Sequence, residues 1–138
     1  MKFFKKIKTL PSGSLYSTDL GPVADFGQWL AELEILLAEK QPFATVCAPM
    51  PQQKPEAQRL RDRRRYMDWL FRHRDQLRQY CAALLLFEWD EAVFTAIRSK
   101  SEALARRFQL PYLVVNSEAE ALERAEAALR DFVPPAGQ

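Results

Sequence analysis

The chain has 138 residues, 48% of them hydrophobic, and its 20 basic and 18 acidic side chains leave a formal net charge of +2. That length suits one compact domain with a core of its own and excludes two domains of ordinary size. So even a balance excludes the bulk basicity of a histone-like protein, although a local basic face still has to be weighed.

No stretch reads as a membrane span. The longest apolar run, Cys81 to Phe87, falls far short of the ~20 residues a transmembrane helix needs. Lys5, Lys6 and Lys8 interrupt the N-terminal MKFFKKIKTL, which therefore does not read as a secretory signal. Cys47 and Cys81 lie in or beside apolar runs, as small buried thiols do, and two cysteines do not make a disulfide framework. A reducing, cytoplasmic setting is the expectation.

In chain order, Phe3 to Ile7 and Ser14 to Thr18 read as weaker strands, with Pro11 and Gly13 marking a turn between them. Asp25 is placed to cap a helix whose apolar positions are Phe26, Trp29, Leu30, Leu33, Leu36 and Leu37, with Pro42 marking its end. Phe43 to Ala48 follows as a strand, then an arginine-rich helix from about Glu56 to Gln79. Ala82 to Phe87 is the next strand, Glu91 to Phe108 the next helix, and Tyr112 to Val115 the last strand. A helix from Ser117 to Phe132 closes the order, with Ser117 and Glu120 at capping-box spacing. The three main strands are apolar throughout rather than alternating, which suits strands buried on both faces of a parallel sheet. Residues 1–133 are expected to form one α/β domain: a layered fold with a central parallel or mixed sheet of four to five strands and about four helices. Residues 134–138 read as a disordered tail.

Glycine placement excludes the common nucleotide motifs. None of the four glycines, Gly13, Gly21, Gly27 and Gly137, lies between a main strand and the following helix, where a dinucleotide fingerprint or a P-loop needs a bare backbone. His73 is the only histidine and there is no CxxC pair, so no metal, no cofactor and no histidine-based nucleophile is expected. Cys47 stands near the carboxyl end of a strand, but Gln53 occupies the position where a phosphatase-type thiolate would need arginine. Glu88, Asp90 and Glu91 form a carboxylate cluster suited to acid–base work or Mg²⁺. The simpler reading makes Asp90 a helix cap and Glu91 a first-turn acid. A small enzyme with a site near Cys47 and Glu88 to Glu91 is thus a secondary reading, and no catalytic residue is assigned.

The segment Arg59 to Arg74, RLRDRRRYMDWLFRHR, decides most of the functional reading. On a helical wheel of ~100° per residue, Arg61, Arg64, Arg65 and Arg72 share an outer face with Asp68 and Asp75, which temper it through pairs one turn away. That face carries no aromatic for base stacking. RNA or DNA binding through these arginines, aided by Lys2, Lys5, Lys6 and Lys8, is therefore the alternative reading. The apolar arc, from Trp69 through Tyr66, Leu77 and Leu70 to Met67, Leu60 and Phe71, covers roughly 200°, against the ~100° a helix on a sheet requires. Arg63, Arg74 and Arg78 fall within it. An arc this wide predicts a second contact besides the sheet, and mixed aromatics and arginine suit a protein interface. Trp69, Tyr66, Arg63 and Arg74 are the expected partner-binding residues.

The run RRRYMDWLFRHRDQLRQYCAALLLFEWDE, followed by LPYLVVNSEAEALERA, resembles the STAS-like domains of the anti-sigma-factor-antagonist superfamily, especially small bacterial members. The similarity is one of pattern and order from about Leu15 to Leu129. It implies a layered, sandwich-like α/β fold and a non-enzymatic, protein-binding role; the order of elements itself reads as STAS-like or flavodoxin-like. Regulatory STAS domains are switched by phosphorylation of a loop serine. The corresponding stretch here, Ala48 to Pro55, reads APMPQQKP and holds no serine or threonine, so that switch is not carried over. The reading is a cytoplasmic interaction or regulatory adaptor that binds another protein or a second copy of itself.

Overall fold

The computed structural model describes residues 1–19, 26–49 and 55–134. Five strands form one mixed sheet in the sequential order β1-β2-β3-β4-β5. They are β1 (Phe4–Leu10), β2 (Gly13–Thr18), β3 (Phe43–Cys47), β4 (Cys81–Phe87) and β5 (Tyr112–Val115). The helices are α1 (Phe26–Ala38), α2 (Glu56–Tyr80), α3 (Glu91–Phe108) and α4 (Glu118–Arg130). β1 and β2 form an antiparallel hairpin, and every later pairing is parallel.

The sequential order has a consequence for where a site can lie. Each crossover from β2 to β5 steps to the next strand in the same direction, and right-handed crossovers then put their helices on one face. Trp29 and Leu33 of α1, Trp69 and Leu77 of α2 and Phe108 of α3 accordingly share one core with Phe43 and Leu84. Ala121, Ala125 and Leu129 of α4 build the second core on the opposite face, against Ala44, Val46, Leu85 and Phe87. A flavodoxin-like sheet reverses its strand order and binds its ligand at the reversal. This sheet has no reversal, so that alternative is set aside.

Local chemistry accounts for the element ends. Gly13 adopts a left-handed-side φ of +153°, and a Cβ there would collide with the Pro42 carbonyl, which accepts the Ser14 N–H at 3.1 Å. Asp90 caps α3 by accepting the Val93 N–H at 3.1 Å. Ser117 caps α4 by accepting the Glu120 N–H at 3.2 Å. The expected Asp25 cap and most of the proposed tail lie outside the described residues. β4 is buried along its whole length, as a continuous apolar run between two helical layers should be.

One polar anchor was not visible in the sequence. Glu32 of α1 is buried, and its carboxylate accepts three backbone N–H groups, from Lys2 at 3.0 Å, Phe3 at 2.9 Å and Phe4 at 3.2 Å. These hold the start of β1 against α1, where the Phe4 ring stacks on Trp29.

Candidate interaction surface

The wide apolar arc of α2 divides in two. Trp69, Leu70 and Leu77 are fully enclosed on the side facing the sheet and α1. Leu60 and Phe71, at the other edge, stay 54% and 53% exposed. At ~100° per residue, Leu60, Arg63, Met67, Phe71 and Arg74 fall on one stripe about 21 Å long. This stripe is the part of the arc the fold leaves open.

Arg74 and Phe71 form its best-defined feature. The Arg74 guanidinium lies over the Phe71 ring, 4.3 Å from its centroid, and its Nη1 donates to the Phe71 carbonyl at 2.6 Å. The Phe71 ring also meets Phe108 of α3 edge-on at 6.3 Å. Two contacts thus orient an exposed aromatic and its arginine before any partner arrives. Nearby, Arg78 bonds Gln109 at 2.9 Å and pairs with Asp75, tying α2 to the end of α3.

The expected partner-binding set therefore needs correction. Trp69 is only 2% exposed and belongs to the core, stacked on His73 at 4.2 Å, so it offers no area to a partner. Tyr66 also turns inward. Its ring packs edge-on against Phe26 and Trp29, and its phenol hydrogen-bonds that of Tyr112. Burial is the main cause that raises both phenol pKa values, Tyr112 to about 12. Arg63 and Arg74 remain on the open stripe. Phe71 and Leu60, part of the arc but not chosen as anchors, take the place of Trp69 and Tyr66.

The arginines of the alternative reading do not act as one free face. Arg72 pairs with Asp68 at 3.2 Å, and the Arg65 guanidinium lies over Gly27 of α1, filling the space a Cβ would take. Arg61 and Arg64 are exposed. Asp75, expected to temper this face, pairs instead with Arg78. The β1 lysines sit elsewhere: β1 is an edge strand of the sheet, whereas α2 packs against β4 near the other edge. Lys8 is also paired with Glu126, and Lys6 lies over the Tyr16 ring.

The strand-end residues take structural roles. Asp90 is a cap, Glu91 is an exposed first-turn acid, and buried Glu88 accepts the Asp90 N–H at 3.0 Å. Cys47 and Cys81 form no disulfide. Burial pushes the Cys81 thiol up to about 12, and the Cys47 thiol faces the Ala48 carbonyl at 3.4 Å. Beside Cys47, Thr45, Tyr66 and Tyr112 line a cavity of about 40 Å³, room for about one water and well below the ~300–1,000 Å³ of ligand sites. His73 presents Nδ1 to the Trp69 carbonyl at 2.9 Å and Nε2 to Glu34 at 3.2 Å. Among the described residues no group of three His, Cys, Asp or Glu side chains is placed to hold a metal ion, and no helix is long and apolar enough to cross a membrane. Compared with known proteins, the chain matches no family model, no curated protein and no solved structure.

Proposed function

We propose that the protein is a non-enzymatic, STAS-like interaction module of the cytoplasm that binds a partner protein through the open stripe of α2. The observation that carries this reading is the Phe71–Arg74 pair. An aromatic that is 53% exposed sits under a guanidinium 4.3 Å away, and both are fixed on a long helix. Aromatic and arginine side chains dominate binding energy at interfaces because they combine large area with directed hydrogen bonds. Fixing them beforehand lowers the entropy lost on association. Arg63 and Arg74 favour a partner surface bearing carboxylates or free carbonyls. A second copy of the chain is the other occupant that such a stripe admits.

The test is capture from the native cell with wild type and Phe71→Ala in parallel, with sedimentation of each protein alone. The reading predicts a partner, or a dimer, that wild type holds and Phe71→Ala loses. Equal recovery by both, or no associated species with either, contradicts it.

A further inference from the structure

The Phe71–Arg74 pair on α2 has a counterpart on α3. The Arg107 guanidinium lies over the Phe108 ring, 5.4 Å from its centroid, and that ring meets Phe71 edge-on at 6.3 Å. With Arg74 4.3 Å over Phe71, two touching rings from two helices each carry a guanidinium. A guanidinium laid on a ring uses its face. Its in-plane N–H donors keep the fork that fits a carboxylate.

The neighbouring acids leave those donors without a carboxylate. Asp68 pairs with Arg72, Asp75 with Arg78 and Glu102 with Arg98, each within its own helix. Among the described residues no carboxylate pairs with Arg63, Arg74 or Arg107. α2 carries eight arginines against four acids, and Arg59 stands one turn from Arg63, as Arg61 does from Arg65. Like charges at that spacing destabilise a helix, and an acid from outside relieves the repulsion.

This excess of positive charge decides between the two occupants the stripe admits. A dimer about a two-fold axis brings the same patch of each copy together. A patch whose unpaired charges are all arginines would then meet itself, and like-charge juxtaposition opposes association. Resting on the reading of α2 as an interface, we propose that its occupant is an acidic segment of another protein. Arg74 and Arg107 fork its carboxylates, an apolar residue sits on Phe71, and a further acid lies toward Arg63, about 16 Å along the helix from Arg74.

A displayed library of random peptides about fifteen residues long, enough to span that distance in helical or extended form, tests it. The library is selected on the wild-type protein and counter-selected on Arg74→Glu with Arg107→Glu. The enriched peptides should carry two or more acids about an apolar residue. Each single change to glutamate should weaken an enriched peptide at least about tenfold, and lysine in place of one peptide acid should restore binding to one of the variants. Arg107 is exposed, so if Arg74→Glu fails to fold, the Arg107→Glu arm decides. Phe71→Ala separates this proposal from the reading it rests on. Peptides that lose affinity on Phe71→Ala yet keep it on both glutamate variants overturn the acidic partner and leave the stripe standing. Peptides indifferent to Phe71→Ala remove the stripe itself. A wild-type dimer that Phe71→Ala breaks would make the occupant a second copy. An RNA of about fifteen nucleotides that outbinds the peptides at physiological salt would make it a nucleic acid. Either result overturns the proposal, as does a library with no acidic enrichment.

Discussion

The Glu32 carboxylate accepts the Phe3 backbone N–H at 2.9 Å, joining α1 to the first strand across 29 residues of sequence. With the Lys2 and Phe4 amides on the same carboxylate, this side chain determines where β1 begins. Hydrogen bonds to a charged acceptor contribute about 1.5–3 kcal/mol each, and a buried N–H left without an acceptor is costly. Glu32→Ala should therefore destabilise the fold by about 3 kcal/mol or more. Hydrogen exchange read at the Phe3 and Phe4 amides checks the cause. Both should lose protection in the variant before the β3 and β4 amides do, and unchanged protection would assign Glu32 no such role.

Trp69 makes a contrasting case on α2. Its side chain is enclosed among Leu70, Leu77 and the α1 residues, so Trp69→Ala opens a large cavity. Truncation of a buried tryptophan costs about 3–5 kcal/mol. Denaturant unfolding should show that loss. A variant as stable as wild type would place Trp69 outside the core.

The wheel for α2 gave the width of the apolar arc but not its rotation. Which edge faces the sheet depends on how α1 and β4 pack, and no local pattern encodes that. The arc alone therefore points to Trp69 as the anchor, whereas Phe71 holds the open edge. Elements governed by local rules were legible: β4 from its unbroken apolar run, α3 and α4 from Asp90 and Ser117. Contacts between residues far apart in sequence were not. Glu32 with the β1 amides and Tyr66 with Tyr112 leave no periodic trace.

Alkaline pH should loosen this fold. Burial raises the Cys81 thiol from 9.0 to about 12 and the Tyr112 phenol from 10.0 to about 12, and also raises Tyr66. Native groups that keep their protons longer than the unfolded chain contribute stability fully present below the unfolded pKa and lost as pH rises through the folded one. The urea midpoint should thus fall progressively between about pH 9 and 12. In Cys81→Ala the decline should be shallower near its onset. A wild-type midpoint that stays level across that range would contradict the burial of these groups.

Nucleic-acid binding should be weak and unselective. Arg72 is paired with Asp68, Arg65 packs on Gly27, and the β1 lysines lie on the edge strand away from α2. Phosphate contacts made by Arg61 and Arg64 alone should give a shallow salt dependence, about one unit of slope per phosphate neutralised. Tight, sequence-selective binding at physiological salt, lost on Arg61→Glu with Arg64→Glu, would move the function to that face.

Binding through the open stripe of α2 is measured by the affinity of Phe71→Ala for the captured partner, or by its dimer constant. An anchor of this kind contributes about 2 kcal/mol or more, a loss of roughly 30-fold in affinity. Phe71 is 53% exposed, so the same change should cost the monomer under about 1 kcal/mol of stability. Affinity should fall about 30-fold while the unfolding midpoint stays near that of wild type. Unchanged affinity, or a loss of affinity that only follows a loss of folding, would contradict it.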